Sequence, residues 1–329
     1  MHISAQNLRD RLRGSLIAAA ATPMTAAGEV DLDLVSRYLA GLVADGAGAL
    51  AVLAHTGRGP YLAPEVRAGV IERAVALGVP VLVGVGGHPA TDGHPATDGR
   101  PATDGSPVGD DGVERTAEEA RAAAGLGAAG VLVFPSAGDR PALHDAVWRA
   151  SGLPMIAFDL YTRPCPPEAM AEILAHPGVA GLKTALLSDA MGCQRAIALT
   201  RAAGRLAVTG EDRMFGPSLL WGAEAALVGL AAASVEVTAA VLAAFRGSDL
   251  RAFEEASGRL DRLAQVTFTE PMEGYVRRML WLAAAEGRIP DSHAHDPYGP
   301  PLPADERARV VRHRGRARPS GRAGARLTE

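Results

Sequence analysis

Residues 178–212 read GVAGLKTALLSDAMGCQRAIALTRAAGRLAVTGED. Val179–Lys183 is a short apolar run closed by a lysine, Ser188–Arg201 carries an Ala-rich helical pattern, and Arg205–Thr209 is a second apolar run. Strand, helix, strand is the reading. Parallel strands covered on both faces lose their polar alternation and appear as continuous apolar runs. Working outward, the same kind of run occurs at Ser15–Ala21, Ala49–Leu53, Val79–Val85, Gly130–Phe134, Pro154–Phe158 and Ala225–Leu230. Helical patterns lie between several of them, at Asp31–Ala44, Pro64–Leu77, from Thr116-Ala-Glu-Glu119 onward, at Pro167–Ala175 and near Gly216–Trp221. The third of these opens with the S/T-x-x-E signature of a helix N-cap. Strands alternating with helices over this length predict a (β/α)8 TIM barrel. A doubly wound open sheet is the alternative. The first run passes into Thr22-Pro23 and not a Gly-rich fingerprint, which argues against its dinucleotide-binding form.

After Ser234 the alternation stops. Val235–Phe245, Asp249–Val266 and Pro271–Gly287 read as helices, with a short one after Pro303-Ala-Asp-Glu306. The expected organisation is a barrel over 1–234, a C-terminal helical appendage over 235–311 and a basic, disordered tail over 312–329. Within the barrel, His88–Gly93 and His94–Gly99 are both HPATDG, followed by RPATDG and a decayed copy. Such a hexad does not build a core, so 88–115 is predicted to be a low-complexity, disordered insertion.

The 329 residues are 48% hydrophobic, enough for a sizeable core, and carry a net charge of −4. That balance argues against a nucleic-acid or membrane partner. Cys165 and Cys193 form no disulfide framework and have no metal-ligand spacing. Residues 1–14 are polar, without the apolar centre of a secretory signal, so a cytoplasmic location is expected. His88 and His94 of the repeat were weighed as metal ligands. So was His293-Ala294-His295-Asp296, which sits in a Pro-rich connector read as lying far from the barrel face. Neither supports a metal, and no cofactor is expected.

Lys183 is the only lysine in a chain of 33 lysine and arginine residues. Coding bias towards arginine explains its solitude; so does a lysine kept for chemistry. Arginine does not lose its proton to attack a carbonyl, whereas an amine desolvated by burial does. In a barrel the chemistry sits at the carboxyl ends of the strands. Those ends are Thr22-Pro23, His55-Thr56-Gly57, Phe158-Asp159-Leu160-Tyr161-Thr162-Arg163, Lys183-Thr184 and Thr209-Gly210-Glu211-Asp212.

From about Leu16 to Arg309 this order resembles the dihydrodipicolinate synthase / N-acetylneuraminate lyase family of class I aldolases. The pieces are Thr22-Pro-Met with Gly28-Glu-Val-Asp31, Ala51-Val-Leu-Ala-His-Thr-Gly57, Gly84-Val-Gly86, Gly130-Val-Leu-Val-Phe-Pro135, Gly178-Val-Ala-Gly-Leu-Lys183, and Thr209-Gly-Glu-Asp212 before Gly222-Ala-Glu-Ala225. The resemblance implies that Lys183 forms a Schiff base with the ketone of a 2-oxo acid such as pyruvate. It implies that Thr22, Thr56, Gly57 and Gly210 shape the substrate site, with Thr56 and the turn N–H groups on the carboxylate. It also implies a homo-oligomer, dimer or tetramer.

Several positions depart from the family's pattern. His55 replaces a small hydroxyl residue and is either a proton shuttle or a bulky wall. Phe158 occupies the place of the family's proton-relaying tyrosine, and the tyrosine pair usual after the fourth strand is absent. Tyr161 is the first candidate to replace the lost relay, or a rim residue, and Asp159 the second. Arg163 falls where synthases hold a second substrate carboxylate, or is a surface arginine. The expected function is a Schiff-base lyase or aldolase acting on a 2-oxo acid. The alternatives are a lysine-dependent, decarboxylating dehydratase of a deoxy keto-sugar acid, and a non-catalytic 2-oxo-acid-binding barrel.

Overall fold

A computed structural model describes residues 1–88 and 110–317. The expected eight strands are all present: β1 (Leu16–Ala19), β2 (Ala49–Val52), β3 (Val81–Val85), β4 (Gly130–Val133), β5 (Met155–Leu160), β6 (Val179–Ala185), β7 (Leu206–Thr209) and β8 (Ala225–Val228). They are parallel, pair in sequence order, and close where β1 meets β8. The fold is a (β/α)8 barrel with C-terminal helices.

Helices α1 (Ile3–Leu12), α2 (Leu32–Ala44), α3 (Pro64–Val75), α4 (Asp110–Gly125), α5 (Arg140–Ser151), α6 (Pro167–Ala175), α7 (Ala190–Ala202) and α8 (Phe215–Leu220) belong to the barrel. Two of them, α1 and α5, were not expected. The first 14 residues read as polar and were assigned no element, yet Ala5, Leu8 and Leu12 turn inward and join Ile17, Leu82 and Leu206 in the cluster that fills the barrel. They plug one end. Helix α5 opens at Asp139, whose carboxylate accepts the Ala142 N–H at 2.9 Å, followed by a proline in the first turn. Helix α4 begins at Asp110, ahead of the Thr116 signature. The Thr116 hydroxyl instead donates back to Gly112 O at 2.8 Å from inside the helix. Residues 110–115, counted with the insertion from sequence, therefore belong to this helix. The repeat at 89–109 lies outside the described residues.

The position of Lys183 depends on an irregularity in β6. Val179 pairs with Met155 but Gly181 pairs with Ile156, so β6 carries one extra residue there. Val179 and Leu182 both pack in the layer between strands and helices, while Ala180 and Ala185 pack inside the barrel. Strict alternation from an outward Val179 would send Lys183 outward. The extra residue reverses the phase, which is what a β-bulge does to the side chains beyond it. Lys183 then sits level with Phe158 on β5 and Val208 on β7, both members of the interior cluster.

Helices α9 (Val235–Arg246), α10 (Leu250–Thr267), α11 (Tyr275–Ala285) and α12 (Glu306–Ala317) follow. Helix α12 continues through Arg312 to Ala317, where the basic tail was expected to have begun; the residues after 317 lie outside the described ones. The α10–α11 connection is held by Arg278, which is fully buried. Its guanidinium donates to the carbonyls of Thr267, Thr269, Glu270 and Pro271 at 2.7–3.2 Å and to Glu306 Oε1 at 2.7 Å.

Candidate active site

The lysine is enclosed from several directions. Lys183 Nζ lies 4.1 Å from the centre of the Phe158 ring, within cation–π range. Gly210 on the neighbouring strand end leaves room for its stem: a Cβ there would come within 2.4 Å of Lys183 Cε. The amine is buried, which lowers its pKa to about 8; the charges of Asp212 and Glu211 pull the other way. Burial pushes both carboxyls up to about 7, against the backbone N–H groups that each accepts and the charge of Lys183. Asp212 Oδ1 accepts the Leu230 N–H at 2.7 Å, and Glu211 accepts those of Leu186 and Leu187 at 2.5 and 3.1 Å. Burial therefore drives the amine down and the carboxyls up, towards one another, the direction a proton-transfer site needs.

Around the lysine is a narrow cavity, about 400 Å³ of empty space with its open mouth included, walled by Thr56, Phe158, Gly210 and Asp212 from the strand ends and by Phe268, Met272 and Tyr275 from the appendage. Thr56 is buried, and its hydroxyl lies 3.0 Å from that of Tyr275. Tyr275 stacks on Phe268 with ring centres 4.7 Å apart. Gly229 makes this approach possible, since a Cβ there would meet both rings at 2.9–3.0 Å.

The remaining sequence-predicted residues divide. His55 and Tyr161 also line the cavity, and both are bound to one carboxylate. Tyr161 donates to Glu273 Oε1 at 2.7 Å, and His55 Nε2 lies 2.9 Å from Glu273 Oε2. Arg58 donates to the same carboxylate at 3.1 Å and clamps Asp296 at 2.8 and 3.2 Å. Burial would raise the Glu273 pKa, but His55, Arg58 and Tyr161 hold it well below the usual carboxylate range. The Tyr161 phenol, buried beside that charge, is pushed far up. Thr22 does not face the cavity: its hydroxyl donates to Gly57 O at 2.7 Å and braces the Thr56-Gly57 turn.

Two candidates are not brought to the lysine. Asp159, neighbour of the inward Phe158, turns away and accepts the Cys165 N–H at 2.7 Å. Arg163 lines a separate depression with Arg140 and Glu172, so no second-carboxylate clamp at Lys183 comes from it. The connector with His293 and His295, read as remote, instead reaches the site: Asp296 is fully buried against Arg58, and Tyr298 stacks on Tyr61 at 4.8 Å. Among the described residues, no group of His, Cys, Asp and Glu is arranged to hold a metal ion, and no helix is long and apolar enough to cross a membrane.

Arg58, Glu273 and Tyr275 had no part in the sequence reading, and Asp296 entered it only beside His293 and His295, in a connector read as remote. A Tyr two residues after Glu, far along the chain and in a helical context, carries no local mark of a barrel site.

No family model matches the chain. It is 28% identical over 249 residues to the 4-hydroxy-tetrahydrodipicolinate synthase of Kineococcus radiotolerans, covering 72% of either chain. It is 29% identical over 248 residues to synthase 1 of Streptomyces coelicolor, again covering 72% of each. Among solved structures, the Thermotoga maritima dihydrodipicolinate synthase superposes with a TM-score of 0.76 at 20% identity, covering 93% of this chain and 99% of that one. The Fusobacterium nucleatum N-acetylneuraminate lyase gives 0.73 at 13% identity, covering 93% and 98%. A prophage protein of the dihydrodipicolinic acid synthase family from E. coli K12, determined in complex with pyruvate, gives 0.75 at 18% identity, covering 92% and 98%.

Proposed function

We propose, for a chain that resembles the dihydrodipicolinate synthase / N-acetylneuraminate lyase family in sequence and in fold, that it is a Schiff-base lyase or aldolase acting on a 2-oxo acid, with Lys183 as nucleophile. The observation that carries the reading is a single buried amine at a strand end, sharing its cavity with the Thr56–Tyr275 hydroxyl pair. The substrate carboxylate sits at Thr56, which lines the cavity, whereas the Gly57 N–H is already donated to Ala54 O at 2.9 Å. The Lys183 ammonium passes its proton to Asp212, which lines the same cavity and whose carboxyl is made a better base by burial. The free amine adds to the C2 ketone, giving a carbinolamine. Its C2 hydroxyl takes a proton and leaves as water, and the C2=N iminium forms. In the cleavage direction the C4 hydroxyl loses its proton, the C3–C4 bond breaks, and its electrons move into the iminium as an enamine. An aldehyde leaves; condensation is the reverse.

Tyr275 takes the place of the relay lost at Phe158. A buried phenol with a raised pKa is a poor acid by itself. Hydrogen-bonded to Thr56, it hands one proton on as it receives another, and no phenolate accumulates. Tyr161, bound to the Glu273 carboxylate, is the weaker candidate because its proton is held there. Both hydroxyls of the pair come from one chain, so this chemistry asks nothing of a partner subunit. The expected homo-oligomer is a separate property.

The test is borohydride reduction in the presence of pyruvate and other 2-oxo acids, followed by peptide mass mapping. The expected adduct is on Lys183; only the N-terminal amine competes. Lys183→Ala should lose the adduct and turnover together. A protein that retains its fold but gives no adduct with any 2-oxo acid would overturn the reading.

A further inference from the structure

A second, larger chamber adjoins the lysine cavity and shares His55, Leu160 and Tyr161 with it. It encloses about 680 Å³ of empty space, the open mouth included. Beyond the 2-oxo acid carbons held at Lys183, a substrate chain has to run into this space. We propose that the chamber selects an apolar, aryl-sized group on the aldehyde partner, and turns away a partner bearing a second carboxylate or a polyol chain. The inference rests on the Schiff-base reading above.

Its walls are the first ground. Pro60, Tyr61, Phe134, Leu160 and Tyr161 make up half of its lining residues. Phe134 meets Phe158 edge-on at 5.6 Å and His55 at 6.4 Å, and Tyr61 is backed by Tyr298. These rings are held in place, and an aromatic guest gains both area burial and edge-to-face contact from them.

The second ground is that the polar groups facing the chamber are already committed to one another. Its arginine, Arg58, is buried and carries two carboxylates, Asp296 and Glu273. With Asp296 beneath it, Arg58 leaves the wall with no surplus positive charge, and the groups that could meet an incoming carboxylate, Arg58, His55 and Tyr161, are already engaged with Glu273. A polyol needs free donors and acceptors. Here the Tyr161 hydroxyl, the His55 ring and two Arg58 nitrogens all point to Glu273. Of the groups lining the chamber, this leaves the Thr162 and Tyr61 hydroxyls outside that network, the latter on a ring stacked against Tyr298. Breaking the network to bind a sugar would strand a desolvated carboxylate.

The experiment uses the full chain with pyruvate and three aldehydes: benzaldehyde, succinic semialdehyde and glyceraldehyde. Condensation product is quantified by mass spectrometry. The expected kcat/KM for benzaldehyde is at least tenfold above that of either other aldehyde, the scale on which a well-formed apolar pocket discriminates. Tyr61→Ser should shrink that ratio by opening the ring wall. A pyruvate adduct on Lys183 combined with equal or better use of the charged or hydroxylated aldehyde overturns the chamber inference and leaves the Schiff-base reading standing. So does a benzaldehyde preference that Tyr61→Ser does not reduce. Absence of any pyruvate adduct overturns both.

Discussion

The two halves of the site differ in where they come from. The inner half is made of strand ends: Thr56, Phe158, Lys183, Gly210 and Asp212. The outer half is made of Phe268, Glu273, Tyr275 and Asp296, which lie after the last strand. A barrel strand has a period of two and ends at a defined rim, so a residue's place in sequence nearly determines its place in space. The appendage has no such rule. Its residues reach the rim because Arg278 gathers the α10–α11 connection and because Gly229 lets two rings come close. The inner half is therefore a property of the barrel, and the outer half a property of packing between distant segments.

That difference accounts for what could be read in advance. The strands, their order and the rim residues were legible from apolar runs. Lys183 was legible from its solitude. Even so, its inward direction was not, because the bulge that reverses β6 leaves no mark in GVAGLK. Helix α1 was missed because three apolar residues among charges are too few to register as a core-facing helix; they reach the core by capping the barrel's end. Arg163 lies apart from Lys183 for a related reason. The rim position was right by count, but the backbone after Leu160 turns tightly, with the Arg163 N–H on Leu160 O at 2.8 Å, and carries the side chain to another depression. Tyr275 and Glu273 were out of reach for pattern reading, since their partners Thr56, His55 and Arg58 lie more than 200 residues away.

If the outer half carries chemistry and not only cover, Tyr275→Phe is the sharpest way to show it. The ring and its stack on Phe268 remain, and one hydroxyl goes. The expected loss in kcat is about 10²–10⁴-fold, the usual effect of removing a general acid/base. Thermal stability should change far less, and the adduct should still form on long incubation. The matching change in the inner half, Phe158→Tyr, restores the family's ring hydroxyl next to Lys183 and should recover part of the rate in the Tyr275→Phe background. A Tyr275→Phe protein with unchanged kcat would return the outer half to a structural role and reopen Tyr161 as the relay.

Arg58→Ala tests the opposite property, the dependence of the outer half on buried pairing. Asp296 is fully buried and would lose both of its guanidinium contacts. Removing one partner of a buried ion pair typically destabilises by about 3–5 kcal/mol. An unfolding free energy lowered by that amount, read as a lower denaturant midpoint at unchanged slope, is expected, together with weaker discrimination among aldehydes as Glu273 loosens. An equal loss from Thr22→Ala, which removes only one hydrogen bond in the inner half, would erase the distinction between the two regions.

The smallest effect expected is a pH shift, and it probes how the inner half sets its nucleophile. With its pKa lowered to about 8, the free amine becomes abundant as pH rises through that value, so the borohydride-trapping rate should climb between about pH 7 and 9. Burial drives the pKa down while the Asp212 carboxylate opposes it by stabilising the ammonium. Asp212→Asn removes that opposition. The Lys183 pKa must then fall further, and the rising limb should move to lower pH by about one unit, the low end of what a nearby opposite charge contributes. The same sign governs stability. A lysine whose folded pKa lies below its unfolded value binds fewer protons when folded, so the protein gains stability as pH rises from about 8 towards the ordinary lysine value of 10.5. Asp212→Asn should extend that window downward. A limb that stays in place, or moves up, would mean that the carboxylate does not sense the amine, and that burial among Phe158, Gly210 and Tyr275 alone tunes it.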